Sequence, residues 1–229
     1  MLVVLVALGS GCSSEPTSDD LLAANADAWA ALAGRVSKVA KMIDVMPDLR
    51  QDGLDIGERP PPRFDSPPSP PGNALTVPWE GLLDLSLVAD DPLGLARRDA
   101  LHHLGSLYSR GQDLDGHAVL PTDTLQSWFD HVTGAQYLLV IKIEKYETPS
   151  WIETTLIPGR VQGIVYLFDL QEGRPLGGYF LKIESVAPEK GKPSDQAMLA
   201  ALRRDALLAI RAGIETVPGA RPPFADLLR

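Results

Sequence analysis

The placement of proline constrains this chain more than any other feature. Eight of its 20 prolines lie between Pro47 and Gly72, most of them in Arg59-Pro60-Pro61-Pro62-Arg63 and Ser66-Pro67-Pro68-Ser69-Pro70-Pro71. Proline fixes its own φ and lacks an amide hydrogen, so such a run enters neither a helix nor a central strand. The sequence therefore predicts an extended, Pro-rich spacer over residues 48–73, with folded structure on either side of it. Pro67 to Pro71 also show PxxP spacing, which proline-recognition modules bind, but a spacer accounts for it without a partner.

Ahead of the spacer the pattern is helical. Leu22, Trp29, Val36 and Ile43 recur every seven residues, and Leu32, Val39 and Met46 form a second register beside them. Thr17 or Ser18 supplies an N-cap, Asn25 interrupts the stripe, and Pro47 ends it. An amphipathic helix is expected over residues 19–47. Its stripe suits packing on its own domain, and a coiled coil with another chain would need the same residues.

Past the spacer, residues 74–216 read as an α+β domain. Asp91-Pro92 resembles a helix start, with Leu93, Ala96, Ala100, Leu104 and Leu107 on one face of a helix ending near Gly111. A shorter helix is expected from Thr122 to Val132, with Leu125, Phe129 and Val132 inward and Gly134 closing it. Three β-rich runs follow, Tyr137–Tyr146, Val161–Leu170 and Leu176–Val186, and are read as antiparallel neighbours. Gly173 suits a left-handed turn position, Pro158-Gly159 a type II turn, and Gly177-Gly178 a bulge or a close backbone approach. Residues Trp151 to Ile157 either pair as a fourth strand or form a long loop.

Alternation places Leu139, Ile141 and Ile143 opposite Lys142 and Glu144, and Tyr179, Leu181 and Ile183 opposite Lys182 and Glu184. The outer strands are thus expected to be half-exposed, and the middle run, Ile164 to Phe168, covered on both faces. A last helix should run from a Ser194 cap to Ile214, with Met198, Leu199, Leu202, Ala206 and Ile210 inward, before a tail over residues 217–229. The expected fold is α+β, a three- to four-stranded antiparallel meander packed with helices, preceded by the amphipathic helix and the spacer.

The N-terminus carries the one recognisable signal. Met1 to Leu8 are apolar, Gly9, Ser10 and Gly11 are small, and Cys12 is the sole cysteine. This order resembles the signal peptide of bacterial lipoproteins, in which cleavage before a cysteine exposes a thiol that receives a diacylglycerol. Gly9 stands where the lipobox usually has Leu, and no Lys or Arg precedes the apolar run. The resemblance implies a signal peptide over residues 1–11, lipidation at Cys12 and a polar tether over residues 12–18. An eight-residue run is too short to span ~30 Å of hydrocarbon, so such a chain would be held by its lipid. The other reading is a buried apolar segment with Cys12 an ordinary packed thiol.

Charge excludes one class of partner. The chain carries a formal charge of −9 and no long Lys/Arg run, so nucleic acid is not expected. The densest basic spots, Arg97-Arg98 and Arg203-Arg204, read as solvated helix faces.

No familiar catalytic set is legible. His102, His103, His117 and His131 lack metal-ligand spacing, and adjacent His102 and His103 diverge by about 100° on a helix. Asp113-Leu114-Asp115-Gly116 resembles the centre of a calcium loop, but Gly111 and Thr122 fall at its first and last ligand positions. Gly105-Ser106 lies inside a helical pattern, not a nucleophile elbow, and Gly191-Lys192 lacks a phosphate loop. Asp130, His131 and Asp169 remain a conceivable carboxylate/His set for an envelope hydrolase. Trp79, Tyr146 and Trp151, the last near Pro149, either cap the core or line a binding surface.

The sequence thus leads to an expectation of a lipid-anchored component of the bacterial envelope. It would face the periplasm from the outer membrane and bind or scaffold an envelope protein without a cofactor, metal or catalytic residue.

Overall fold

A computed structural model describes residues 16–43, 53–54, 62, 73–82, 84–85, 92–94, 100–109, 121–185 and 193–215. Cys12, the Asp113–Gly116 loop, His117, Arg97-Arg98, Gly191-Lys192 and most of the Pro-rich stretch lie outside these residues.

The first helical region is two helices, α1 (Ser18–Ala24) and α2 (Ala26–Ile43). Thr17 caps α1 through a reciprocal capping box with Asp20. The break falls at Asn25, whose side-chain amide donates to the carbonyl of Leu21 at 2.9 Å, so this interrupting residue ends one helix before the next begins. Leu22, Leu32, Val36, Val39 and Ile43 are all buried in the domain's own core. The seven-residue stripe therefore packs within the chain. Fully burying each large aliphatic contributes about 1.5–3 kcal/mol, enough to hold the helix pair on the domain.

Along the chain there follow β1 (Gly53–Leu54), β2 (Ala74–Pro78), a 3-10 turn (Trp79–Leu82), α3 (Ala100–Ser109) and α4 (Thr122–Gly134). Then come β3 (Tyr137–Glu147), β4 (Ser150–Ile152), β5 (Thr155–Ile157), β6 (Arg160–Asp169), β7 (Arg174–Glu184) and α5 (Asp195–Glu215). The main sheet has the order β1-β7-β6-β3-β2, and β4 and β5 pair as a separate hairpin. The class is α+β.

The sheet is mixed, which corrects the expectation of a purely antiparallel meander. The trio β3-β6-β7 is antiparallel as expected, but β2 runs parallel to β3 in continuous register from Ala74↔Tyr137 to Pro78↔Ile141. A parallel pair needs a long crossover, supplied here by the 3-10 turn, α3 and α4. Pro78, with no amide hydrogen, is tolerated at the end of an edge strand. Residues Trp151 to Ile157 form neither a fourth strand of this sheet nor a loop, but the two strands of the β4–β5 hairpin.

Two bulges set which side chains face which way. Ile143 pairs with Gly163 and Lys145 with Gln162, leaving Glu144 extra, and Leu176 is extra between Pro175 and Gly177 on β7. Gly177 has φ 127°, so the Gly-Gly pair does mark a bulge. At Gly163 a Cβ would lie 2.2 Å from the carbonyl oxygen of Lys142, which only glycine allows.

Each sheet face has its own core. Leu75, Val77, Leu138, Val140, Ile164, Tyr166 and Phe168 meet α1 to α4 on one side. On the other, Tyr137, Leu139, Ile141, Val161, Val165, Leu167 and Leu181 meet Leu202, Ala206, Ile210 and Ile214 of α5. The first five residues of β3 are consequently buried on both faces, and only the later part of that strand is half-exposed.

Two local readings need correction. Pro92 and Leu93 form a turn followed by Gly94 at φ 71°, so no helix starts at Asp91-Pro92; the described part of α3 begins at Ala100. That turn is tied to α5 by Arg203, which donates to the carbonyl of Pro92 at 2.8 Å. Gly159 is not in a left-handed conformation either. A Cβ there would lie 2.5 Å from Pro149 Cδ and 2.8 Å from both Glu147 O and Leu202 Cδ2, so close approach is what requires glycine.

Candidate functional site

The helices on the first face stop short of the far end of the sheet. Paired residues of neighbouring strands share a face, so the register defines three rows there. Lys142, Ile164 and Phe180 form the first, Lys145, Gln162 and Lys182 the second, and Glu147, Arg160 and Glu184 the third. Lys145, Phe180, Lys182 and Glu184 are exposed.

Charges are arranged by row. Arg160 lies between two carboxylates, 3.9 Å from Glu147 and 3.3 Å from Glu184, and Lys145 reaches Glu147 at 3.0 Å. Lys142 sits 4.6 Å above the ring of Trp79. All three ion pairs are solvent-screened and add little to stability, so their regular placement is a property of the surface more than of the core.

The third row opens onto a shallow depression of about 520 Å³ lined by Tyr146, Glu147, Thr148, Ile157, Pro158 and Arg160. Its rim is apolar on the hairpin side. Ile152 is 62% and Ile157 41% exposed, and with Phe180 at 39% they are three of the four large exposed hydrophobic side chains among the described residues.

The residues singled out in the sequence fall in several places. Tyr146 and Trp151 do reach this end of the sheet, but Tyr146 packs largely against the α5-side core and Trp151 is half-buried. Trp79 packs against the opposite core. Trp79 and Tyr146 thus cap the two cores, and the exposed apolar side chains near this end are Ile152, Ile157 and Phe180. Tyr146 also carries a buried hydroxyl with no hydrogen-bond partner among the described residues.

The three described histidines lie in packing positions. His103 stacks on Trp128 at 4.6 Å, Nδ1 of His102 lies 3.1 Å from the carbonyl of Leu85, and His131 is buried in α4. Among the described residues no group of three His, Cys, Asp or Glu side chains is placed to hold a metal ion.

The carboxylates of the conceivable hydrolase set have structural partners. Asp169 accepts from the amides of Gln171 at 2.8 Å and Glu172 at 2.9 Å, and its carbonyl accepts from Gly173, whose φ is 68°. It fixes the β6–β7 turn, with glycine at the left-handed position as expected. Asp130 accepts from Gln126 at 2.8 Å on the exposed side of α4.

What the sequence did not reveal is the cation cluster. Lys142 and Lys145 are some 40 residues from Lys182 and meet it only through the strand register. The alternation of Lys142 and Lys182 with apolar neighbours was the available signal: it put both on exposed faces, but not on the same one.

The fold and this surface define an α+β protein with helices on both faces of a five-stranded mixed sheet and, at one sheet end, one face that no described helix covers. Compared with protein families, curated proteins and solved structures, the chain has no match. No helix among the described residues is long and apolar enough to cross a membrane.

Proposed function

We propose that this chain is a lipid-anchored protein of the bacterial envelope that works as a binding or scaffolding component, not as an enzyme. The anchor rests on the sequence alone: the apolar Met1–Leu8 leader, the small residues after it, and Cys12. With that leader removed and the thiol acylated, the folded body would act at the membrane surface, with the outer membrane facing the periplasm as the favoured location. Ser13 follows the cysteine, and so lacks the aspartate that some bacteria use to retain lipoproteins in the inner membrane.

The observation that supports the binding reading is the far end of the sheet, where exposed Ile157 lines a shallow depression beside Glu147 and Arg160, and exposed Phe180 stands two rows along the same face. Apolar side chains grouped beside a shallow depression favour contact with a macromolecule. Residues that a hydrolase would need, Asp130 and Asp169, hold a helix surface and a turn.

Gentle detergent extraction of the tagged full chain from membranes tests this reading. A stoichiometric envelope protein should remain bound. A purified chain that instead turns over envelope-type substrates, and loses that activity when Asp130 or Asp169 is changed to Asn, would overturn it.

A further inference from the structure

We infer that the uncovered half of this sheet face docks a second copy of the chain, face to face about a two-fold axis that lies across the strands between the Lys145 row and the Glu147 row. The inference rests on the binding reading above, for which it names the partner, and does not depend on the lipid.

The argument is one of self-complementarity. Charge on this surface changes by row: the middle row carries Lys145, Gln162 and Lys182, and the outer row Glu147, Arg160 and Glu184. A two-fold between these rows reverses their order in the second copy and keeps each strand over its own counterpart. Lys145 then faces the partner's Glu147, Lys182 the partner's Glu184, and Gln162 the partner's Arg160. Each contact is made twice, as an isologous interface requires. Within one copy Lys145 holds Glu147 at 3.0 Å and Arg160 lies between Glu147 and Glu184, but Lys182 has no ion pair with a described residue. Across the axis Lys182 gains a carboxylate, and the pairs of both copies merge into one network, which holds better than isolated exposed pairs. An unrelated partner would need no such match between two rows of the same chain.

Geometry permits the contact. The side chains of Lys145, Glu147 and Glu184 are 44%, 42% and 48% exposed, and Lys182 is exposed as well. Packed sheets stand about 10 Å apart, a gap that a Lys and a Glu side chain reaching from opposite sides span together. The apolar groups fall into step with this placement. One row inward from Lys182, Phe180 at 39% exposure comes level with the strand ends of the second copy, the end at which Ile157 lines the depression. The three rows cover only about 10 Å by 14 Å of sheet, so the dimer belongs to the weak class and forms at high protein concentration.

The test is sedimentation equilibrium of the full chain at up to about 0.5 mM, as a weak interface requires, with a reductant so that Cys12 cannot cross-link. At about 150 mM salt the long-range repulsion between copies of charge −9 is screened, whereas contacting pairs are not. A reversible monomer–dimer equilibrium is expected. Lys145→Glu/Lys182→Glu and Glu147→Lys/Glu184→Lys should each weaken it about tenfold or more, because the cross-axis pairs become like-charged. An equimolar mixture of the two variants should regain the parent's dimer, since each reversed row then meets its opposite. Each variant changes the formal charge by four and stays net negative, so long-range attraction cannot draw the two together. Thermal melting, expected to stay close to the parent because these exposed pairs add little stability, separates lost contact from lost fold. A parent that stays monomeric, a variant that dimerises as well as the parent, or a mixture with no more dimer than its components would each overturn the inference. If a monomeric parent still retains another envelope protein on gentle extraction, the second copy is removed as partner and the binding reading stands. A monomeric parent that retains none and turns over substrate removes both.

Discussion

The hydroxyl of Tyr179 donates to the carbonyl of Ile210, and the ring lies against Gly213, so β7 is joined to α5 at a point where only glycine leaves room. A Cβ at position 213 would come within 2.3 Å of the ring.

Gly213→Ala sets two effects against each other. Alanine improves helix propensity by about 1 kcal/mol, whereas overpacking against a hydrogen-bonded ring costs about 1–3 kcal/mol. Net destabilisation of about 1 kcal/mol is expected by denaturant unfolding. In a Tyr179→Leu background the ring is gone, and the same change should become neutral or stabilising. A cost unchanged between the two backgrounds would show that the ring is not the obstacle.

Burial raises Tyr179 well above the ordinary tyrosine range. The unfolded chain therefore releases this proton near pH 10 while the native chain keeps it. Below that pH the contribution is fully present, and stability falls as pH rises past it because the unfolded state then binds fewer protons. In Tyr179→Phe the alkaline decline should be shallower, at a cost of about 1 kcal/mol at neutral pH from the lost hydrogen bond. Equal alkaline slopes in urea titrations at pH 9 to 11 would contradict the assignment.

Gly159→Ala should destabilise by about 1–3 kcal/mol, because its Cβ meets backbone and buried side chains with no helix propensity to offset the contact. Gly173→Ala has open space around it and only a left-handed φ to maintain, so about 1 kcal/mol is expected. Chemical denaturation of the two variants gives the order directly.

Tyr146→Phe is expected to stabilise the protein, by up to about 1 kcal/mol, since it removes a buried hydroxyl that has no partner among the described residues. A loss of stability would mean that the hydroxyl is satisfied.

The helix pair α1–α2 is expected to be indispensable. Trp29 stacks on Tyr108 at 5.2 Å, and the Tyr108 hydroxyl donates to the carbonyl of Leu22 at 2.8 Å. A chain starting at residue 48 would uncover the apolar face formed by Leu75, Val77, Phe129 and Leu138, and should lose cooperative unfolding in calorimetry. A sharp transition in that fragment would show that the helices are an appendage.

Local signals made most elements legible. The capping box at Thr17, the inward residues of α4 and α5, and Gly173 in the β6–β7 turn each depend on contacts a few residues apart. The parallel strand β2 was not legible, because five residues ending in proline gain a partner only after a crossover of more than 50 residues. At Gly159, likewise, the need for glycine comes from approaches of Pro149, Glu147 and Leu202 that lie ten or more residues away in sequence. The open sheet end was visible only as exposed lysines, since register, set partly by the bulge at Glu144, decides which of them share a row.

Metabolic labelling with palmitate is the most direct test of the central claim that this body works from a membrane through Cys12. Label is expected in the wild type at the membrane and none in Cys12→Ala. Equal labelling of the two, or an unlabelled wild type in the cytosol that still carries Met1–Gly11, would contradict the account.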